Sequence, residues 1–183
     1  MKPRQLLITL LLLAALAGAV QAADLVANGS GLRTKPLLGA LYELELRVPP
    51  ALQGADAKAL IEADEPMQMV LTLKSGLITR KRFVETTTDG FAKAARSGYQ
   101  AAETGAFLAQ FDNTEFRKGD IVLMTYGPDG LATVYRQLDA EGGGTDTSLA
   151  TIPGLELKKA LFAIWLGDTP AQASLKNALL GGK

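Results

Sequence analysis

Two segments of the chain alternate between apolar and polar residues, which is the pattern of half-buried β-strands. In the segment 40–48 every second residue is apolar, while Glu43, Glu45 and Arg47 face the other side. The Pro-Pro pair that follows ends this strand, because proline cannot extend a ladder of backbone hydrogen bonds. The segment 67–74 alternates in the same way, with the inward positions Met67, Met69, Leu71 and Leu73.

A β-hairpin is predicted in the second half of the chain. The segment 120–127 is apolar on both faces, which is typical of a central strand. The turn residues Pro128-Asp129-Gly130 follow it, and 131–137 returns as the hairpin partner. After a flexible glycine loop at 140–145, a short strand is predicted at 149–152.

Helical spacing predominates between the two groups of strands. Apolar residues recur every three or four positions over 79–103, and a shorter helix is predicted over 106–116. A further short helix is expected from Asp56 to Asp64, with Asp56 as the N-cap.

The end of the chain is predicted to be helical again. An apolar stripe of Leu157, Leu161 and Trp165 indicates a helix that ends at Gly167, and Thr169-Pro170 is expected to begin the next helix. Antiparallel strands with helices gathered together indicate an α+β fold, in which helices cover one face of a sheet.

Residues 1–22 are predicted to be a secretory signal peptide. Lys2 and Arg4 precede an apolar run over 6–20, and Val20-Gln21-Ala22 provides a cleavage site before Ala23. The alternative is a membrane anchor, but the run is shorter than the ~20 apolar residues of a spanning helix. We therefore expect one soluble domain over 23–183, located in the periplasm of a Gram-negative bacterium and without a stable membrane anchor.

The composition excludes many kinds of chemistry. The chain has 19 basic and 19 acidic residues, no cysteine and no histidine. It therefore forms no disulfide, has no thiolate nucleophile and no Ser-His-Asp triad, and lacks the most common metal ligand. Without residues 1–22, which hold two basic residues and no acid, the net charge is −2. Nucleic acid is not an expected partner, and neither a metal nor a cofactor is expected.

Arg33 and Tyr42 are the candidate binding residues. Arg33 stands in the segment 29–35, ahead of an apolar strand, and its guanidinium suits a carboxylate or a phenolate. The alternative is a surface arginine in a loop. Tyr42 lies on the apolar face of its strand, either as a second hydrogen-bond donor or as a core tyrosine. Phe91, Phe162 and Trp165 are an aromatic set typical of a core, and no catalytic dyad is present.

Several motifs give the chain a resemblance to a known family. The segment 31–35 (Gly-Leu-Arg-Thr-Lys) and the segment 75–79 leading to Gly90-Phe91 belong to the pattern. Its most specific part is Ile164 to Pro170, and further parts are Gly119-Asp120, Pro128-Asp129-Gly130, Val134-Tyr135 and Leu175-Lys176. Over nearly the whole of 23–183 the chain resembles the secreted bacterial branch of the chalcone isomerase-like family. The resemblance implies an open-faced β-sandwich, a large antiparallel sheet covered on one face by a helical layer, with a ligand cleft between them.

The resemblance also implies two possible activities. Enzymes of the family close a chalcone to a flavanone with an arginine, strand and helix hydroxyls and an asparagine. Arg33 matches the arginine and Tyr42 lies one position from the strand hydroxyl, but the helical tyrosine falls on Phe91 and the asparagine on Gly98. Each such donor is worth ~10²–10³ in rate. Because Phe91 and Gly98 lack the side-chain donors of the enzymes, isomerase activity is the alternative expectation and not the first.

The first expectation is a non-catalytic periplasmic protein that binds a small amphipathic acid such as a fatty acid, as non-catalytic relatives in the family do. The resemblance assigns the carboxylate to Arg33 and Tyr42, with Phe91 as a third ligand-binding residue and with no catalytic residue. A further alternative is an interaction protein without a small ligand, in which Arg33 is structural.

Overall fold

Six antiparallel strands in chain order form the sheet of the computed structural model, which describes residues 25–182. The predicted signal peptide at 1–22 lies outside the described residues. Each strand pairs with its neighbours along the chain, so the first and the last strand form the two edges. The strands are β1 (Val26–Lys35), β2 (Gly39–Val48), β3 (Met67–Leu73), β4 (Ile121–Gly127), β5 (Gly130–Leu138) and β6 (Gly144–Ile152).

Helices cover one face of this sheet. The strand residues that face them are buried, as Leu44, Leu71 and Met124 are, whereas the residues between them are partly exposed. The predicted α+β fold, a large antiparallel sheet under a helical layer, is confirmed. The helices are α1 (Ala57–Glu62), α2 (Arg80–Arg96), α3 (Thr104–Ala109), α4 (Leu155–Leu166) and α5 (Ala173–Leu179).

Helix α4 lies at the centre of the helical layer. Its residues from Leu157 to Leu166 are buried on every side except at Lys159, as expected for a helix that is apolar all round. It contacts α1, α2, α5 and β5, and it ends at Gly167 as predicted. The helices on either side of α4 are therefore held in place by one buried element.

Helix α5 packs directly on the backbone of β1. A Cβ atom at Gly31 would lie 2.7 Å from the Cβ of Ala178, and one at Gly29 would lie 2.1 Å from the Ala178 carbonyl oxygen. Asn28 fastens the far end of the helix, since its Nδ2 donates to the Leu179 carbonyl oxygen at 2.7 Å. The two glycines thus let the last helix lie on the first strand.

Several boundaries differ from the sequence prediction. The helix predicted over 79–103 ends at Arg96, and the helix predicted over 106–116 spans Thr104–Ala109. The segment 29–35, for which a loop was one interpretation, belongs to β1, because its inward glycines face a helix and so leave no apolar alternation to detect. Strand β6 begins at Gly144 and not at 149, since its first residues are polar and exposed. Thr169-Pro170 does not begin α5, which starts at Ala173 after Gln172.

The turn between β1 and β2 contains a strained leucine. The Leu38 N–H donates to the Lys35 carbonyl oxygen at 3.2 Å, which closes a β-turn with Pro36 and Leu37 at its centre. Leu37 has a φ of 66°, a left-handed conformation that costs a residue with a Cβ about 1–2 kcal/mol. Its side chain is fully exposed, so no packing within the chain compensates that cost.

Gly31→Ala is expected to destabilise the protein. The added Cβ would overlap Ala178, and forcing atoms into a packed contact costs about 1–3 kcal/mol. Urea unfolding followed by circular dichroism measures the change. Gly105→Ala is the matched control, because open space surrounds that position in α3, and the control should leave stability unchanged or raise it. Equal effects of the two variants would contradict the close packing of α5.

Thr133→Val is expected to stabilise the protein. The Thr133 hydroxyl is buried on the helix-facing side of β5 and has no hydrogen-bond partner among residues 25–182. Replacing it by a methyl removes an uncompensated desolvation of about 1 kcal/mol. Thr125→Val provides the contrast. The Thr125 Oγ1 accepts from Gln68 Nε2 at 2.8 Å, so its loss should lower the free energy of unfolding. A loss of stability in Thr133→Val would refute the expectation.

Candidate functional site

Arg33 and Tyr42 lie directly opposite each other on β1 and β2. Tyr42 belongs to the helix-facing row of β2, two residues before the buried Leu44. Arg33 follows Gly29 and Gly31 along the same row of β1, so it is the first inward side chain beyond the contact with α5. The strand pairing therefore brings together two of the three residues that the sequence proposed for ligand binding.

A glutamine holds the guanidinium of Arg33 in place. Nη1 of Arg33 donates to Gln172 Oε1 at 2.8 Å and to the Thr34 carbonyl oxygen at 2.6 Å. The same Gln172 oxygen accepts from the Thr34 N–H at 3.0 Å. Gln172 immediately precedes α5, so the position of that helix sets the position of Arg33. Among residues 25–182 these bonds use only Nη1, which leaves the N–H groups of Nε and Nη2 without an acceptor.

Among the described residues the hydroxyl of Tyr42 has a hydrogen-bond donor but no acceptor. Trp165 Nε1 donates to the Tyr42 hydroxyl oxygen at 2.9 Å. Desolvation raises the pKa of Tyr42, against the opposing effects of the Trp165 bond and the Arg33 charge, so the hydroxyl stays protonated at neutral pH. Within the described chain its hydrogen meets no acceptor, although desolvated donors are normally paired. Tyr42 and Arg33 thus lie opposite each other on neighbouring strands, and each has hydrogen-bond donors that no group of the described chain accepts.

Phe91 packs within the helical layer. It lies on α2, is 7% exposed, and its ring meets Phe107 edge-on with centroids 5.8 Å apart. The neighbouring Gly90 lies against Ile164 of α4. No aromatic contact within 25–182 joins Phe91 to Tyr42. Gly98, where the resemblance places an asparagine, has a φ of 90° beyond the end of α2 with open space around it.

A cavity of about 390 Å³ lies at the other end of the sheet. In the strand pairing Tyr42 faces Leu73 whereas Tyr126 faces Met67, six residues or about 20 Å away. The Tyr126 hydroxyl donates to Asp64 Oδ1 at 2.5 Å, and burial together with this carboxylate raises the pKa of Tyr126 to about 12. Asp64 and Glu65 line the cavity, so its charge disfavours an anionic ligand.

Sequence reasoning missed one buried cation, Lys158. Its Nζ donates to the carbonyl oxygens of Leu60, Ile61 and Ala63 at 2.7, 3.0 and 2.8 Å, at the end of α1. It also lies 4.9 Å from the centroid of the Phe162 ring. The available signal was a lysine within the apolar stripe of α4, three residues before Leu161. Because backbone carbonyls satisfy this ammonium group, Lys158 holds α1 to α4 and offers no donor to a ligand.

The described residues contain neither a cluster of metal ligands nor a membrane-spanning helix. Among 25–182 no group of three or more acidic side chains is placed to hold a metal ion. In the described part of the chain no helix is both long and apolar enough to cross a bilayer.

Comparisons with known proteins agree with the fold. A family model described as chalcone isomerase-like matches residues 15–181. Among solved structures, a fatty-acid binding protein of Arabidopsis thaliana is similar, with a TM-score of 0.67 and 15% sequence identity over 87% of this chain and 88% of that chain. At that identity the likeness concerns the fold alone. No curated protein sequence matches the chain.

The pKa of Lys158 predicts a pH-dependent stability. Burial, with repulsion from Lys159, lowers the pKa of Lys158 to about 8, from 10.5 for an exposed lysine. Between these values the unfolded chain binds more protons, so raising the pH favours the folded state. From pH 7.5 to 9.5, wild type should gain about 1–2 kcal/mol relative to Lys158→Met in urea unfolding. A flat or falling difference between wild type and Lys158→Met would contradict the prediction.

Proposed function

Because the chain belongs to the chalcone isomerase-like family, we propose that it is a non-catalytic binding protein for a small amphipathic acid such as a fatty acid. The observation that carries the proposal is the pair of adjacent unused donors on Arg33 and Tyr42. A carboxylate is the ligand group that uses both, since its two oxygens accept from a guanidinium edge and from a hydroxyl at once. The fatty-acid binding protein of Arabidopsis thaliana, which shares the fold, supports this choice.

The surroundings of the pair favour binding of an anion. Gln172 holds Arg33 before any ligand arrives, so less side-chain entropy is lost on binding. The Trp165 bond polarises the Tyr42 hydroxyl and strengthens its own donation to an acceptor. The raised pKa of Tyr42 keeps that donor protonated at neutral pH, where a carboxylate is ionised. The three side chains thus form a site whose hydrogen-bond donors suit a negatively charged group.

The apolar tail of the ligand would lie on the helix-facing side of the sheet. The neighbours of Tyr42 on that side are Leu44 and Leu73, both buried. The 390 Å³ cavity does not include these residues, so the helical layer must make room for the tail.

The surroundings of Phe91 favour binding over catalysis. At the position that the resemblance assigns to a catalytic tyrosine, Phe91 has no hydroxyl and packs on Phe107. Without such donors, a developing oxyanion on the substrate would lack a stabilisation worth ~10²–10³ in rate. The proposed function therefore assigns the ligand's polar group to Arg33 and Tyr42, and the part of Phe91 in ligand binding stays a prediction.

The proposal places the protein in the periplasm. Its basis is the sequence of residues 1–22, with cleavage after Ala22. Expression of the full chain in a Gram-negative host tests it. Intact-mass measurement of the periplasmic extract should give a protein that begins at Ala23, and recovery of the full chain from the membrane fraction would refute export with cleavage.

Tyr42→Phe and Arg33→Ala should weaken binding of dodecanoate in calorimetric titration at neutral pH. Loss of one hydroxyl donor to a charged group is worth about tenfold, and loss of the guanidinium about a hundredfold or more. Arg47→Ala is the matched control, because Arg47 lies on the outer face of β2 and pairs there with Glu45. Native mass spectrometry of the purified wild type should also show a bound acid. No affinity for dodecanoate, or equal losses in all three variants, would refute the proposal.

The isomerase alternative has a separate test. Conversion of naringenin chalcone, followed by its absorbance, should proceed at the spontaneous rate whether or not the protein is present. Turnover above that rate that disappears in Arg33→Ala would instead establish an enzyme of the chalcone isomerase type.

A further inference from the structure

Exposed leucines gather at one end of the sheet. Leu37 and Leu38 form the tip of the β1–β2 hairpin, and Leu77 lies in the loop between β3 and α2. Leu37 is fully exposed, Leu38 is 50% exposed and Leu77 is 42% exposed. We call the segments 35–38 and 74–82 together the tip surface.

Backbone hydrogen bonds place both segments at the same end. The Lys74 N–H donates to the Leu41 carbonyl oxygen at 2.9 Å, so the end of β3 lies beside the start of β2. At this end the chain turns from β1 into β2 over 35–38, and it passes from β3 to α2 over 74–82. The Nη1 of Arg82 donates to the Leu77 carbonyl oxygen at 3.2 Å, which ties the start of α2 to the same loop. The leucines and the first turn of α2 therefore form one surface.

Positive charge surrounds these leucines. The stretches 33–38 and 74–82 contain no acidic residue. Their ion pairs within the described chain leave Lys35 and Arg82 uncompensated. At the far edge of the sheet, 138–146 has acidic residues and no basic one, so the neutral total conceals a separation of charge. The basic residues of the tip surface are Lys35, Lys74, Arg80, Lys81 and Arg82.

Leu37 contributes no buried surface to the folded chain, and the cations at the start of α2 oppose the helix dipole. Leu37 adopts a left-handed backbone conformation without burying its side chain. Arg80, Lys81 and Arg82 stand in the first turn of α2, where the helix dipole disfavours positive charge and where no acidic residue is present. Apolar side chains at a protruding tip, flanked by cations, complement an interface between hydrocarbon and anionic groups.

We propose that the tip surface docks the protein on a lipid bilayer that contains anionic lipids. Leu37 and Leu38 enter the boundary between head groups and acyl chains, and the basic residues contact the anionic head groups. Binding is reversible and weakens with salt, because the electrostatic part is screened. The proposal does not depend on the ligand of Arg33. Should both hold, the ligand site lies close to the bilayer that supplies amphipathic acids, because Arg33 is two residues from Lys35.

Co-sedimentation with vesicles of phosphatidylcholine, with and without phosphatidylglycerol, tests the docking. Wild type should bind the vesicles that contain phosphatidylglycerol and should be released by high salt. Leu37→Gly should weaken this binding about tenfold, as expected for removing one leucine from an apolar environment. Its thermal midpoint should not fall, because glycine accepts the positive φ of this turn. A loss of binding would therefore not result from misfolding.

Charge variants separate the tip surface from the rest of the molecule. Lys81→Gln should weaken binding about fivefold, in line with the contribution of one basic residue at an anionic surface. Lys58→Gln makes the same change on α1 at the opposite end of the sheet and should have no effect. Leu138→Ser is the apolar control on the acidic side.

All variants share one N-terminus, so the differences between them do not arise from residues 1–22. Absence of wild-type binding to anionic vesicles, as expected if this surface recognises a protein instead, would overturn the proposal. Equal losses in the tip variants and in the controls would do the same.

Discussion

The contact between α5 and the backbone of β1 determines the geometry of the candidate site. A helix lies this close to a strand only where the strand lacks side chains, and Gly29 and Gly31 provide that absence. Arg33 is the next inward residue after Gly31. It lies beside the start of α5, where Gln172 accepts a hydrogen bond from its guanidinium. Every further element of the site, from the Tyr42 hydroxyl to the Trp165 indole, is placed by strand pairing and by α4 relative to this contact.

Two cations illustrate how the same chemistry acquires different roles. Lys158 is buried in the helical layer, and three backbone carbonyls surround its ammonium group, so the charge is already satisfied inside the chain. Arg33 stands at the margin of the layer with its hydrogen bonds concentrated on one nitrogen. Burial alone would have selected Lys158 as the functional residue. The unused hydrogen-bond donors instead make Arg33, with Tyr42 beside it, the candidate for ligand binding.

The fold was predictable from sequence wherever one face of an element was apolar. Alternation located β2 and β3, and it assigned Tyr42 to the inward face, because a two-residue period leaves only one assignment. The same rule failed for β1, whose inward residues are glycines, and for the exposed start of β6. The pairing of Arg33 with Tyr42 was not predictable, since it depends on a turn and on a register shift after Arg33. Phe91 met the expectation of a core aromatic, while its part in ligand binding stays a prediction.

The order of the elements has a consequence for how the site comes into being. Arg33 lies on the first described strand and Gln172 precedes the last described helix, 139 residues apart in sequence. During synthesis Arg33 is added to the chain early and Gln172 late. Closing so long a loop is slow compared with forming neighbouring hairpins. A nascent chain therefore exposes a sheet edge without a finished site. In the proposed function, ligand recognition is therefore a property of the complete domain, because the bond between Arg33 and Gln172 forms only once the last helix is in place.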